Sequence, residues 1–261
     1  MSLLEINDLR VRFGARPVVE MDRLEVDRSQ IVGLAGESGS GKSMTTLAVL
    51  GLAGTVGARV DGSILLDGQE LVDLPQRAMR DIRGKRVAMI FQSPAMAFNP
   101  VFRVGQVFLW ALELHGAASR TDASERATAA LRSVFLSPDL LHRYPSQLSG
   151  GQLQRISIAM ALALRCDLLL ADEPTSALDV TVQADVLELL RELRDQKEIG
   201  ILFISHDLAV VAELCDHVAI MRAGRVVEAG ETDRVIRQPQ DDYTRELLAA
   251  VPRIAVAVAG S

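Results

Sequence analysis

Apolar positions along this chain follow two periodicities. Short runs of β-type character fall at Leu4 to Phe13, Ile31 to Ala35, Val87 to Phe91, Leu168 to Ala171, Ile201 to Ile204 and Val218 to Met221. From Ser43 onward they alternate with longer stretches of helical periodicity, which predicts an α/β fold. The N-terminal MSLLEINDLRVRF alternates apolar and polar residues without a basic-then-apolar leader, so it predicts a strand and not a signal peptide.

Between Pro94 and Ser149 the β-type runs stop. Gln106 to His115 and Asp122 to Phe135 predict helices, the second opened by Asp122 with Glu125 three residues later. The turn-forming segments SPAMAFNP and SPDLLHRYPSQ flank this stretch, which is therefore expected to be a helical insert hinged on the α/β core, at roughly residues 93–160. The whole chain, 1–261, is taken as a single domain, with 232–261 as a short C-terminal helical segment whose end, Ile254 to Ser261, is expected to fray.

Composition narrows the class. A chain of 261 residues with 49% hydrophobic content can fill a core without covalent staples. Cys166 and Cys215 lie far apart without CxxC spacing, which fits buried thiols in a reducing compartment better than a disulfide or zinc site. No apolar stretch approaches the roughly 20 residues that cross a bilayer, so any membrane association is expected to be peripheral. The net charge of −6 and scattered basic residues lack the footprint of a nucleic-acid binder.

The strongest chemical signal is Gly36-Glu37-Ser38-Gly39-Ser40-Gly41-Lys42-Ser43, which matches the phosphate-loop pattern in full between an apolar strand and a helical run. Glycines let successive N–H groups face one oxyanion, and the helix N-terminus adds its positive dipole end. Lys42 can reach the β- and γ-phosphates, and the Ser43 hydroxyl can take one site on Mg2+.

Leu168 to Glu173 then places two carboxylates at the end of a buried strand. Asp172 would hold the metal and Glu173 would orient and deprotonate the attacking water, although a D-E pair by itself also serves as a helix N-terminal charge pair. Ser149-Gly150-Gly151-Gln152 precedes another helical run, with Ser149 as a candidate N-cap; such an opening is commonly structural and is also a candidate second anion site.

GESGSGKS, LSGGQ, LLLADEP and SALD, in this order, resemble the ABC ATPase family, of which LSGGQ is the signature. Gln92 in IFQSP, His206 in FISHD and Phe13 resemble that family's Q-loop glutamine, switch histidine and adenine-stacking aromatic. The resemblance implies a P-loop NTPase core with an N-terminal antiparallel β subdomain and an inserted α-helical subdomain. It implies ATP and Mg2+ as cofactors, with Gln92 touching the metal and water, and His206 meeting the γ-phosphate.

It further implies two such subunits, copies or paralogues, paired head to tail. Each ATP would then lie between one phosphate loop and the signature segment of the other subunit, here Ser149, Gly150, Gly151 and Gln152, with Asp179 crossing the interface. Met44 is carried with the loop as a cofactor-site residue, its ordinary reading being packing, as for Trp110 and Met160. Two transmembrane permease subunits and an extracytoplasmic solute-binding protein complete the implied machine, with this chain peripheral on the cytoplasmic face of the membrane.

IFQSPAMAFNPVF, RYPSQLSGGQLQRISIAMAL, ADEPTSALDVTVQADVLELL and QPQDDYTRELLAAVP resemble the peptide and nickel uptake ATPases. Many oligopeptide members continue into a cysteine-rich tail that holds an iron–sulfur cluster. This sequence stops at Ser261 without those cysteines, which with AFNP and GGQLQR leans toward the nickel or metallophore branch; peptide and nickel both stay open.

A soluble ABC protein of DNA repair or translation would share the nucleotide motifs but would need a coiled-coil insert or tandem halves, and a P-loop kinase or GTPase would lack LSGGQ. In the loop Gln92 to Phe102, Phe98 and Phe102 are either exposed anchors for a membrane subunit or ordinary core residues.

Overall fold

Burial of the apolar runs on both faces decides the architecture. The computed structural model describes residues 2–94, 98–116, 119–176 and 178–250, without the side chains of residues 196 and 197. Five short strands, β3 (Ile31–Ala35), β6 (Val87–Ile90), β7 (Leu168–Asp172), β8 (Gly200–Ser205) and β9 (His217–Arg222), lie parallel in a six-stranded sheet. The sheet order is β10-β9-β3-β8-β7-β6, with β10 (Arg225–Glu231) antiparallel on its edge.

Alternate residues of these strands feed opposite cores. Leu169, Ala171, Ile201, Phe203, Val218 and Ile220 join one apolar cluster, whereas Leu168, Leu170, Leu202, Ile204, Ala219 and Met221 join the other. A strand covered on both faces has no wet side, which is why these runs are continuously apolar.

The second core is closed by a four-stranded antiparallel sheet in the order β2-β1-β4-β5. Its strands are β1 (Ser2–Phe13), β2 (Arg16–Asp27), β4 (Arg59–Leu66) and β5 (Gln69–Glu70). Only β1 is predicted by the sequence pattern. Both β2 (RPVVEMDRLEVD) and β4 keep a polar face toward solvent, and charges at those positions hide the apolar face.

Helices α1 (Lys42–Val49) and α2 (Gln76–Ile82) complete the first half of the chain. Between β6 and β7 the chain forms α3 (Val104–Leu114), α4 (Arg120–Ser133) and α5 (Gly150–Ala163), with no strand among the described residues. The second half adds α6 (Val180–Lys197) and α7 (Leu208–Leu214), then α8 (Thr232–Arg237) and α9 (Asp242–Ala250). The tail expected to fray, 254–261, lies outside the described residues.

Three local expectations need correction. Helix α3 begins two residues before Gln106, at Val104. The cap of α4 is Ser119, whose hydroxyl accepts from the Asp122 N–H at 3.1 Å; Asp122 itself sits inside the first turn, where its charge suits the helix dipole. That helix also stops at Ser133, because Phe135 adopts a left-handed φ of 56°.

The two loop phenylalanines separate cleanly. Phe98 is buried in the core with Val104, Phe108 and Leu131, so the anchor reading fails for it. Phe102 is half-buried and meets Trp110 edge-on, with ring centroids 4.9 Å apart. Trp110 packs there as expected but leaves 44% of its surface exposed, beside the exposed Val101 and Leu114.

Phe98→Asp would put an unpaired carboxylate among apolar side chains. It is expected to cost about 4 kcal/mol or more, read as a collapse of the urea midpoint together with loss of ATP turnover.

Candidate functional site

The carboxyl ends of β3, β6, β7, β8 and β9 share one edge of the large sheet, where open α/β sheets take their ligands. Four of them, β3, β6, β7 and β8, lead into the residues of the site. After β3 the chain passes through Gly36, Gly39 and Gly41, all at positive φ. A Cβ on Gly41 would stand 2.8 Å from the Val18 carbonyl oxygen, so the loop is pressed against β2 as it turns into α1.

Lys42, 5% exposed, donates from Nζ to the carbonyls of Gly36 at 2.7 Å and Glu37 at 2.8 Å, with the Ser40 hydroxyl 3.5 Å away. Burial lowers its pKa, and the carboxylates of Glu173 and Asp172 pull in the opposite direction. The ammonium is therefore desolvated and offset only by dipoles and nearby acids, a ready site for phosphate oxygens.

Ser43 donates to Asp172 Oδ1 at 3.1 Å, joining the start of α1 to the end of β7. Burial pushes the Asp172 carboxyl up, opposed by that hydrogen bond. A buried carboxylate beside a hydroxyl is a small set of hard oxygen donors. It fits Mg2+, which takes few protein ligands and completes its shell with phosphate and water.

Glu173 follows in the left-handed region at φ 46°, its N–H tied to the Ile204 carbonyl at 2.9 Å. A non-glycine residue there is held by its surroundings. Its Oε2 accepts from the Gln92 amide at 2.8 Å, and its Oε1 lies 3.0 Å from His206 Nδ1. Three residues predicted from three separate segments thus meet at one carboxylate.

A cleft of about 220 Å³ opens above this group, lined by Val18, Ser38, Gly39, Gly41, Lys42, Ser43, Met44, Gln92 and Glu173. Met44 lines this cleft and also packs on the core beneath. A roomier hollow of about 580 Å³, beside Arg103, Arg120 and His142, brings no glycine loop and no paired carboxylates.

Other predicted residues stand apart from the cleft. Phe13 ends β1 and is 38% exposed, but it is not among the lining residues; Val18, which sequence reasoning passed over, is. Ser149 caps α5, accepting from Gln152 N–H at 3.2 Å while the Gln152 side chain accepts from Ser149 N–H at 3.0 Å. Neither these two nor Gly150 and Gly151 line the cleft of their own chain. Asp179 caps α6 through the Val182 N–H at 3.1 Å.

Gln154 is a further residue that carries no motif signal in the sequence. Buried on α5, it donates to the Pro174 carbonyl at 2.9 Å and the Phe91 carbonyl at 3.4 Å. It thereby ties the helix behind LSGGQ to the segments carrying Glu173 and Gln92.

A phosphate-type loop, a buried carboxylate at its serine and a second carboxylate held by Gln92 and His206 define a P-loop nucleotide hydrolase. The ABC transporter family pattern matches residues 19–176, and the chain belongs to that family. It is 44% identical over 259 residues to the oligopeptide transport ATP-binding protein OppD of Salmonella typhimurium, covering 97% of this chain and 77% of that one. It is 41% identical to the dipeptide transport ATP-binding protein DppD of Escherichia coli, over 98% and 80% of the two chains.

Among solved structures, it superposes with a TM-score of 0.77 and 25% identity on a dimeric post-hydrolysis state of the ATP-binding cassette MJ0796 bound to ADP and Pi, over 88% of this chain and 98% of that one. This chain is an ATP-binding and ATP-hydrolysing subunit of an ABC-type importer. The transport relatives set the DNA-repair and translation reading aside.

Lys42→Ala is expected to weaken ATP binding by at least about 100-fold, as loss of a desolvated charge from the phosphate cradle should. Equilibrium titration with a fluorescent ATP checks this, with an unchanged circular-dichroism spectrum showing that the fold is intact.

Proposed function

We propose that this chain powers peptide uptake from the cytoplasmic face of a membrane, hydrolysing Mg2+–ATP as one of two head-to-tail ATPase subunits. The observation that carries the reading is the meeting of Gln92, Glu173 and His206 beside the Ser43–Asp172 pair. Ser43 and Asp172 would hold Mg2+ with Gln92 nearby; when bound, the ion neutralises charge on the phosphates. The loop from Gly36 to Ser43, with Met44, would bind the phosphate chain, and Phe13 would meet the adenine.

Chemistry then falls to Glu173. Its carboxylate orients a water for attack on the γ-phosphorus and takes one proton, as the bond to the β–γ bridging oxygen breaks and ADP leaves. In this structure both carboxylate oxygens are occupied by Gln92 and His206, so an arriving γ-phosphate and water would have to draw those side chains away. That competition gives Gln92 and His206 a way to sense the nucleotide.

The signature segment serves the opposite subunit. Ser149, Gly150, Gly151 and Gln152 present a capped helix N-terminus away from their own cleft, as a trans phosphate site requires. Asp179 stands next to Val180, an apolar residue 85% exposed, which suits a contact between subunits. Whether copy or paralogue, the second subunit supplies the other half of each site.

Among the described residues no helix is long and apolar enough to cross a membrane. In this reading two permease subunits form the path and an extracytoplasmic solute-binding protein delivers the cargo. The pair Phe102 and Trp110, with Val101 and Leu114 beside it, offers an apolar face at the end of the Gln92 loop for a permease helix. The OppD and DppD likenesses favour peptide over nickel. The lean toward nickel rests on the tail and two short segments alone.

Two outcomes test the reading. Glu173→Gln should keep ATP affinity within about threefold but lower turnover by about 10² to 10⁴; single-turnover phosphate release measures it, and wild-type turnover would make Glu173 a spectator. Phe102→Asp should abolish peptide uptake in cells and leave the ATPase rate of the isolated subunit within about twofold, since a half-buried surface residue costs little in the fold. Retention of uptake would move the permease contact to another face.

A further inference from the structure

The phosphate loop is fastened from outside by the last helix. At Gly36 φ is +150° and a Cβ would lie 2.1 Å from the Met221 carbonyl oxygen, so only glycine lets the chain turn this close to the end of β9. That turn divides the two polar groups of the Gly36–Glu37 peptide. Its carbonyl accepts from Lys42 Nζ at 2.7 Å, and its N–H donates to the Tyr243 hydroxyl at 3.1 Å. The peptide is trans, so these groups point in opposite directions and the two hydrogen bonds grip one plane from its two edges.

Tyr243 is itself held by neighbouring protein groups. It is buried on α9, with the Arg222 guanidinium 4.6 Å from its ring centroid. Its N–H donates to Asp241 Oδ1 at 2.9 Å, which caps the helix. Just upstream, the Glu228 carboxylate on β10 accepts the N–H groups of Gln240 at 2.8 Å and Asp241 at 3.1 Å. The segment bearing the tyrosine is thereby pinned to the edge of the sheet that carries the loop.

We infer that Tyr243 is a positioning residue for ATP binding: its hydroxyl fixes the Gly36–Glu37 peptide plane and so aims the carbonyl that holds the Lys42 ammonium. Through this one peptide the C-terminal helix sets where the loop's charge stands. The inference rests on the assignment of Lys42 to the phosphates.

Tyr243→Phe tests it, because the ring, the Arg222 contact and the helix are retained and only the acceptor is lost. Titration with Mg2+–ATP should show a Kd raised about three- to ten-fold, the effect of losing one hydrogen bond. KM for ATP should rise in parallel with kcat within about twofold, since ground and transition states lose the same support. The melting temperature without nucleotide should stay within about 2 °C. A lowered melting temperature with unchanged Kd and KM would make Tyr243 a packing residue and overturn the inference. Lys42→Ala is measured alongside. If it loses ATP while Tyr243→Phe binds as wild type, the inference alone falls; if it too binds as wild type, the phosphate-loop assignment falls and the inference with it.

Discussion

A lysine ammonium buried in the curl of its own loop is the interaction on which the rest of this structure depends. Removing that charge from water is costly, and two backbone carbonyls plus the nearby acids offset the cost only in part. In the function proposed above, anionic phosphate completes the balance. Everything that shapes the loop, from the glycines at positive φ to the contacts with Val18 and Met221, serves to keep those carbonyls and that charge in place.

The sheet supplies the second requirement, convergence. Five parallel strands release their chains at one edge, so residues 33, 81 and 129 positions apart in sequence stand within hydrogen-bond reach. Glu173 is the focus of that edge, strained in its backbone and gripped through its side chain. Gln154 extends the grip to α5, which gives the helix behind LSGGQ a physical link to the reacting end of the site.

Much of this was legible beforehand because its causes are local. A phosphate loop needs glycines at fixed positions beside Lys42 and Ser43, and strands buried on both faces must be continuously apolar. Wet-faced β2 and β4 escaped because charges on one face mask the apolar positions on the other. The start of α4 is ambiguous for a related reason: Ser119 and Asp122 are both good cap residues, and sequence alone does not say which hydroxyl or carboxylate reaches a free N–H.

The sequence by itself determined the class of chemistry, since the spacing of glycines, lysine, serine and acids is a property of one short segment after another. Only the tertiary structure decided which of two similar phenylalanines, Phe98 or Phe102, is core, because burial is set by neighbours distant in the chain. It alone brought Gln92 and His206 to Glu173, and set Tyr243 against the loop 206 residues away. Contacts of that kind follow from how strands order themselves in a sheet, and no local pattern of residues encodes that order.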